Sequence, residues 1–174
     1  METPTPRLNL ERKSRDADLD GARVAIEAMN ARREGVQEQS DLYYRCTTGR
    51  LKLRRIDATH AELIWYDRPD DAGLRASTYR RVVVPDAEAL HAALANALGI
   101  RGEVRKRREV WHWHNVRIHL DEVDALGRFI EFEAGIDEVS DEAISLVRLE
   151  VLGRALGLEE ANDVAGSYAD LLGI

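Results

Sequence analysis

Arg117, His119 and Asp121 occupy alternate positions of one short run, and Glu131 and Glu133 occupy alternate positions of the next. Between those polar residues stand Ile118 and Leu120 in the first run, Ile130 and Phe132 in the second. A period of two marks a strand with one apolar and one polar face. Asp124-Ala125-Leu126-Gly127 supplies a turn, so the runs read as an antiparallel hairpin. Such a hairpin sets Asp121, Glu131 and Glu133 on one surface with Arg117 beside them. Clustered carboxylate oxygens are what Mg²⁺ or Mn²⁺ prefers, with water completing an octahedron. Taken alone, the pattern also fits an ordinary sheet with its polar side in water.

Other stretches repeat the pattern. In residues 7–15 Leu8 and Leu10 share a face, while Asn9, Glu11 and Lys13 share the other. In 50–56 Leu51 and Leu53 oppose Arg50, Lys52 and Arg54; in 61–68 Glu62, Ile64, Tyr66 and Arg68 are in phase. Residues 75–84 form a further strand, and in 101–113 Lys106 and Arg108 are in phase. Residues 36–46 read weakly as a strand. His114-Asn115 is a tight turn, with Asn the residue that tolerates positive φ. Asp18 and Asp86 precede helical patterns as N-caps. The first helix has Val24, Ile26 and Met29 among its apolar residues and Gly35 beyond its end. The second spans 87–98 and stops at Gly99, and the third runs from 141 to about 156 with Ile144, Val147, Leu149 and Leu152 for packing.

The elements amount to about eight strands with short antiparallel connections and about three helices. Their polar faces carry both signs of charge. Either an exposed sheet face or a closed barrel with this face turned inward accommodates that, the latter only if the charges pair or hold ions. Basic residues on some strands and carboxylates on others suit a metal–polyphosphate site.

Composition sets the bounds. At 174 residues, 44% hydrophobic and 33% charged, the chain suits one globular domain over 1–174, with 1–6 a Pro-broken, disordered end. No apolar run approaches the ~20 residues of a membrane span, and the N-terminus has no signal-peptide core. The single Cys46 fits a reducing cytoplasm. A net charge of −7 despite 25 basic residues argues against a general nucleic-acid binder. His112, His114 and His119 lack the cysteines and spacing of a zinc site. Trp65, Trp111 and Trp113 read as packing residues rather than a stacking platform for bases. No Gly-rich phosphate loop is present, so phosphate binding would rest on side chains.

Several blocks, in order, resemble the CYTH family, the triphosphate tunnel metalloenzymes. They are Asn-Leu-Glu-Arg-Lys (9–13), Gly-Arg-Leu-Lys-Leu-Arg (49–54), Trp-Tyr-Asp-Arg-Pro (65–69), Val-Arg-Lys-Arg-Arg (104–108) and Leu-Asp-Glu-Val-Asp-Ala-Leu-Gly-Arg-Phe-Ile-Glu-Phe-Glu (120–133). The last block and the terminal Ser-Tyr-Ala-Asp-Leu-Leu look most like the class IV adenylyl cyclase branch. The resemblance implies a mainly antiparallel β (α+β) fold, an eight-stranded closed or nearly closed barrel with the helices outside. It assigns metal to Glu11, Glu131 and Glu133, with Asp121 helping directly or through water, and catalytic roles to Lys13 and Glu11. It assigns triphosphate binding to Lys13, Lys52, Arg54, Arg75, Lys106, Arg108 and Arg117. Glu62 and Arg68 match polar family positions, or else form an ion pair on the tunnel wall. Asn9 stands where the family has a first Glu, which removes one negative charge from the site.

The implied cofactor is Mg²⁺ or Mn²⁺, the implied partner ATP or another triphosphate, and a homodimer is compatible with the resemblance. The expected reaction converts ATP to cyclic AMP and pyrophosphate. Hydrolysis of tripolyphosphate or thiamine triphosphate is the alternative. Because of Asn9, a non-catalytic nucleotide or polyphosphate sensor stands as a reading of another class.

Overall fold

A computed structural model describes residues 7–15, 17–57 and 59–174. The expected frayed end at 1–6, and Ala58 in the turn after residue 56, lie outside them. The strands are β1 (Arg7–Arg15), β2 (Arg32–Tyr44), β3 (Arg50–Ile56), β4 (His60–Asp67), β5 (Arg75–Val83), β6 (Ile100–Trp113), β7 (Val116–Val123) and β8 (Gly127–Gly135). They close into one antiparallel barrel in the order β1-β5-β4-β3-β2-β6-β7-β8. The helices are α1 (Leu19–Ala28), α2 (Ala87–Leu98), α3 (Glu142–Ala155) and the short α4 (Tyr168–Leu171). Among the described residues no helix is long and apolar enough to cross a membrane.

The barrel packs its apolar side outward. Leu10, Ile118, Leu120, Ile130 and Phe132 are buried under α1 and α3, against Leu19, Ile26, Leu149 and Leu152. Each such side chain contributes roughly 1.5–3 kcal/mol by leaving water. A second outer cluster sets Tyr44, Leu53 and Ala61 against Leu90 and Leu94 of α2. With the apolar residues spent on the helices, period two forces the charged residues of the same strands into the lumen.

The helix starts follow the caps. Asp18 accepts from the N–H groups of Asp20 and Gly21, Asp86 from Ala89 and Asp141 from Ile144. Each cap satisfies backbone donors that the helix itself leaves open. Four expectations change. The first helix ends at Ala28 with Met29 as its cap and Asn30 just beyond at φ 59°, so Gly35 instead falls at a register shift inside β2, a bulge. In the turn at 114–115 the positive φ falls on His114, not Asn115. Ile144 and Val147 of α3 are exposed, because that helix needs only its Leu149–Leu152 face to cover the barrel. Trp111 and Trp113 do pack in the helix-side core, but Trp65 lies over the β3–β4 end and donates to the Thr48 carbonyl at 3.0 Å.

Candidate functional site

The inward faces of all eight strands line one cavity, part of it open to solvent. Lys13, Lys52, Arg54, Lys106, Arg108 and Arg117 project into it, as do Asn9, Glu11, Glu62, Glu131 and Glu133. A second cavity beside Glu34, His60 and His112 shares Arg54, Arg108 and Arg117 with the first, so the lumen continues to that mouth. The chain's end closes the other. The Val164 N–H bonds the Lys13 carbonyl, Arg75 donates to the Val164 carbonyl and Arg68 to that of Gly166. Tyr168, at the start of α4, enters the lumen: its hydroxyl donates to Asp121 at 2.7 Å and its ring lies 4.0 Å beneath the Lys13 ammonium.

Ladder register explains the pairs. On the β2–β3 side Asp41 stands opposite Arg54 and accepts from it at 2.7 and 2.8 Å, from Lys52 at 2.9 Å and from Lys106 at 2.8 Å. Burial alone would raise its carboxyl, yet Arg54, Lys106 and Lys52 hold it well below the usual carboxylate range. Lys106 is the converse: burial, with Arg54, Arg108 and Lys52 around it, lowers its ammonium to about 7 against the pull of Asp41.

On the β7–β8 side Asp121 faces Arg108 across β6–β7, and Glu131 faces both His119 and Lys13. Arg108 binds Asp121 at 2.7 and 2.6 Å and Glu131 at 2.7 Å. Lys13 reaches Glu131 at 3.2 Å, and Arg117 reaches Glu133 at 3.0 Å. Burial works to raise Glu131, but Lys13 and Arg108 hold it well below its ordinary value. Arg117 and His119 likewise outweigh burial at Glu133 and bring it to about 2. Burial lowers the Lys13 ammonium and the His119 imidazole.

Glu131 and Glu133, with His119, each offer a ligand atom within 4.8 Å of the others. Together with an unpartnered nitrogen on buried His119, this donor set fits a divalent cation. The other two carboxylates assigned to metal from the sequence stand apart from that group. Glu11 carries Arg68 and Arg75, both at 3.0 Å, and Asp121 spends its oxygens on Arg108 and Tyr168. Burial raises the Glu11 carboxyl despite Arg68. Arg75 is committed to Glu11 and to the carbonyls of Asp71 and Val164, behind the cavity lining. Glu62 takes His60 and Arg81 while Arg68 takes Glu11, so these two do not form the expected ion pair with each other.

Sequence reasoning passed over Asp41 and Tyr168 in the lumen. For Asp41 a signal existed: Gln37, Gln39, Asp41 and Tyr43 alternate, and the cation-bearing strands needed an acid. Tyr168 lies in the terminal Ser-Tyr-Ala-Asp-Leu-Leu block, but no alternation marked it for the lumen, which it reaches through the tail's path.

The sequence model of the CYTH domain matches residues 7–168. A 71-residue segment is 28% identical to a Methanocaldococcus jannaschii protein provisionally named an adenylate cyclase, and it spans 41% of this chain and 41% of that protein. Among solved structures, a Pyrococcus horikoshii protein superposes with TM-score 0.82 at 23% identity, covering 94% of this chain and 98% of the other. A Vibrio parahaemolyticus protein, again provisionally named an adenylate cyclase, gives 0.79 at 21% identity over 97% and 99%. A provisional adenylyl cyclase of Hippeastrum, described as revealing a dominant triphosphatase activity, gives 0.61 at 14% identity over 95% and 94%.

Proposed function

The chain belongs to the CYTH domain family, and from that premise we propose that it is a divalent-metal-dependent enzyme acting on a triphosphate, with ATP converted to cyclic AMP and pyrophosphate. One observation carries this reading: Lys13, Lys52, Arg54, Lys106, Arg108 and Arg117 share one barrel lumen with the cation-fitting group His119, Glu131 and Glu133. A triphosphate is the small ligand whose charge is dense enough to engage so many cations at once.

In this reaction the 3′ hydroxyl of ATP gives up its proton to solvent as its oxygen attacks the α-phosphorus, the bond from that phosphorus to the bridging oxygen breaks, and pyrophosphate leaves with the electron pair. Lys52, Arg54 and Lys106 hold the β- and γ-phosphate oxygens and so orient the leaving group. Lys13, 3.2 Å from Glu131, is assigned to the oxygens of the reacting phosphate. Glu11 is assigned to steadying Arg68 and Arg75 at the closed end. Glu131 and Glu133 would hold Mg²⁺ or Mn²⁺, whose chemistry when bound is to compensate charge on the phosphate oxygens. Hydrolysis of tripolyphosphate or another triphosphate is the second reading, favoured by the triphosphatase activity named for the Hippeastrum protein.

Product analysis tests the choice. The protein is incubated with Mg²⁺ or Mn²⁺ and either ATP or tripolyphosphate. Cyclic AMP with equal pyrophosphate supports the cyclase reading, and orthophosphate supports the hydrolase. Binding of both compounds without turnover would overturn both in favour of a sensor.

A further inference from the structure

His119 is the lumen residue whose chemistry the ion pairs do not absorb. It is fully buried, at 0% exposure. Its ladder partners are Glu131 on β8 and Val110 on β6, and Val110 offers no polar side-chain atom. Its Nδ1 lies 3.4 Å from Glu131 Oε2, while Nε2 has no hydrogen-bond partner. A buried polar atom left so carries an uncompensated desolvation cost, which an occupant of the site would offset.

Strand β1, paired beside β8, sharpens the point. Asn9 is neutral, and Glu11 is held by Arg68 and Arg75. Strand β1 therefore brings no free carboxylate to a cation, and the donors that remain together are His119, Glu131 and Glu133.

We propose that His119 is a direct ligand through an imidazole nitrogen, and that this one-nitrogen, two-carboxylate set makes the site select Mn²⁺ over Mg²⁺. The inference rests on the cation reading of the proposed function and adds the residue that sets cation choice. Mg²⁺ keeps to oxygen donors and sheds water reluctantly, whereas imidazole suits first-row transition cations. An all-carboxylate site would discriminate less.

The test uses the full chain stripped of metal with a chelator and titrated calorimetrically with MnCl₂ and, separately, MgCl₂, each with and without tripolyphosphate. Pulsed electron paramagnetic resonance of the Mn²⁺ complex then reads coupling to ¹⁴N. The expected result is Mn²⁺ binding tighter than Mg²⁺, with nitrogen coupling in the wild type. His119→Gln should abolish the coupling and bring the ratio toward one, with Mg²⁺ affinity little changed. Thermal unfolding checks that the variant folds; if it does not, the wild-type spectrum and ratio decide alone. Mn²⁺ bound without nitrogen coupling would remove His119 from the ligand set, and equal affinities would remove its part in cation choice; either leaves the cation site standing. No binding of either cation, with or without tripolyphosphate, would remove this inference and the metal half of the proposed function together.

Discussion

On the β2–β3–β6 wall three cations, Lys52, Arg54 and Lys106, share the single carboxylate of Asp41. On the β7–β8 wall the order is reversed: Asp121, Glu131 and Glu133 meet Arg108, Lys13 and Arg117. The second wall is close to neutral by itself. The first keeps a surplus of buried positive charge, which is costly in a low-dielectric lumen. A polyanion relieves that cost on the first wall, and the second offers a cation its carboxylates. Under the proposed function, the first wall is the one suited to phosphate and the second the one suited to a cation.

The largest expected effect breaks the first wall. Asp41→Asn leaves three cations without their shared carboxylate and should destabilise the protein by about 3–5 kcal/mol in urea unfolding. Saturating tripolyphosphate should recover part of that loss, because it binds the folded state. Unchanged stability would show that Asp41 does not compensate the wall.

Lys106→Ala comes next. It should weaken triphosphate binding by about 1.5–3 kcal/mol, roughly 10- to 100-fold, while metal affinity measured without triphosphate holds. Its ammonium falls from 10.5 to about 7 on folding, so between those values the native state binds fewer protons than the unfolded one. Lys106 therefore makes stability rise with pH across that window. A triphosphate favours the ammonium, so binding near pH 8 should take up protons, read by calorimetry in buffers of differing ionisation enthalpy. Uptake that persists in Lys106→Ala would assign the proton elsewhere.

On the second wall, Glu133→Gln should weaken Mn²⁺ or Mg²⁺ binding by about tenfold, with tripolyphosphate affinity in the absence of metal within a few fold of wild type. Equal losses in both would mean that the two walls are not separate in function. The smallest effect is expected for Asn9→Glu, which restores a charge at the cavity lining. Metal affinity should rise by a few fold, and turnover with it if a second cation limits the chemistry. Unchanged titration and turnover would show that Asn9 is no deficit.

Much of this was legible in the chain. Alternation placed Glu11, Lys13, Lys52, Arg54, Lys106, Arg108 and Glu131 on polar faces, and the capping aspartates Asp18 and Asp86 marked helix starts. The weaker pattern of β2 hid Asp41, because Gln37 and Gln39 look like ordinary surface residues until β6 is known to lie beside them.

Period two, a property of the strand itself, determined from sequence alone which side chains share a face and that the faces carry both charges. It does not determine whether a polar face meets water or a lumen, nor which strand stands opposite. Closure of β8 onto β1, with β5 beside β1 and β6 beside β2, made those choices. It put Glu131 against Lys13, gave Glu11 to Arg68 and Arg75, and gathered three cations from two strands onto Asp41. Helices α1, α2 and α3 supplied the reason: by covering the apolar outer face they left the charged face to the inside, where each charge must find a partner or an ion.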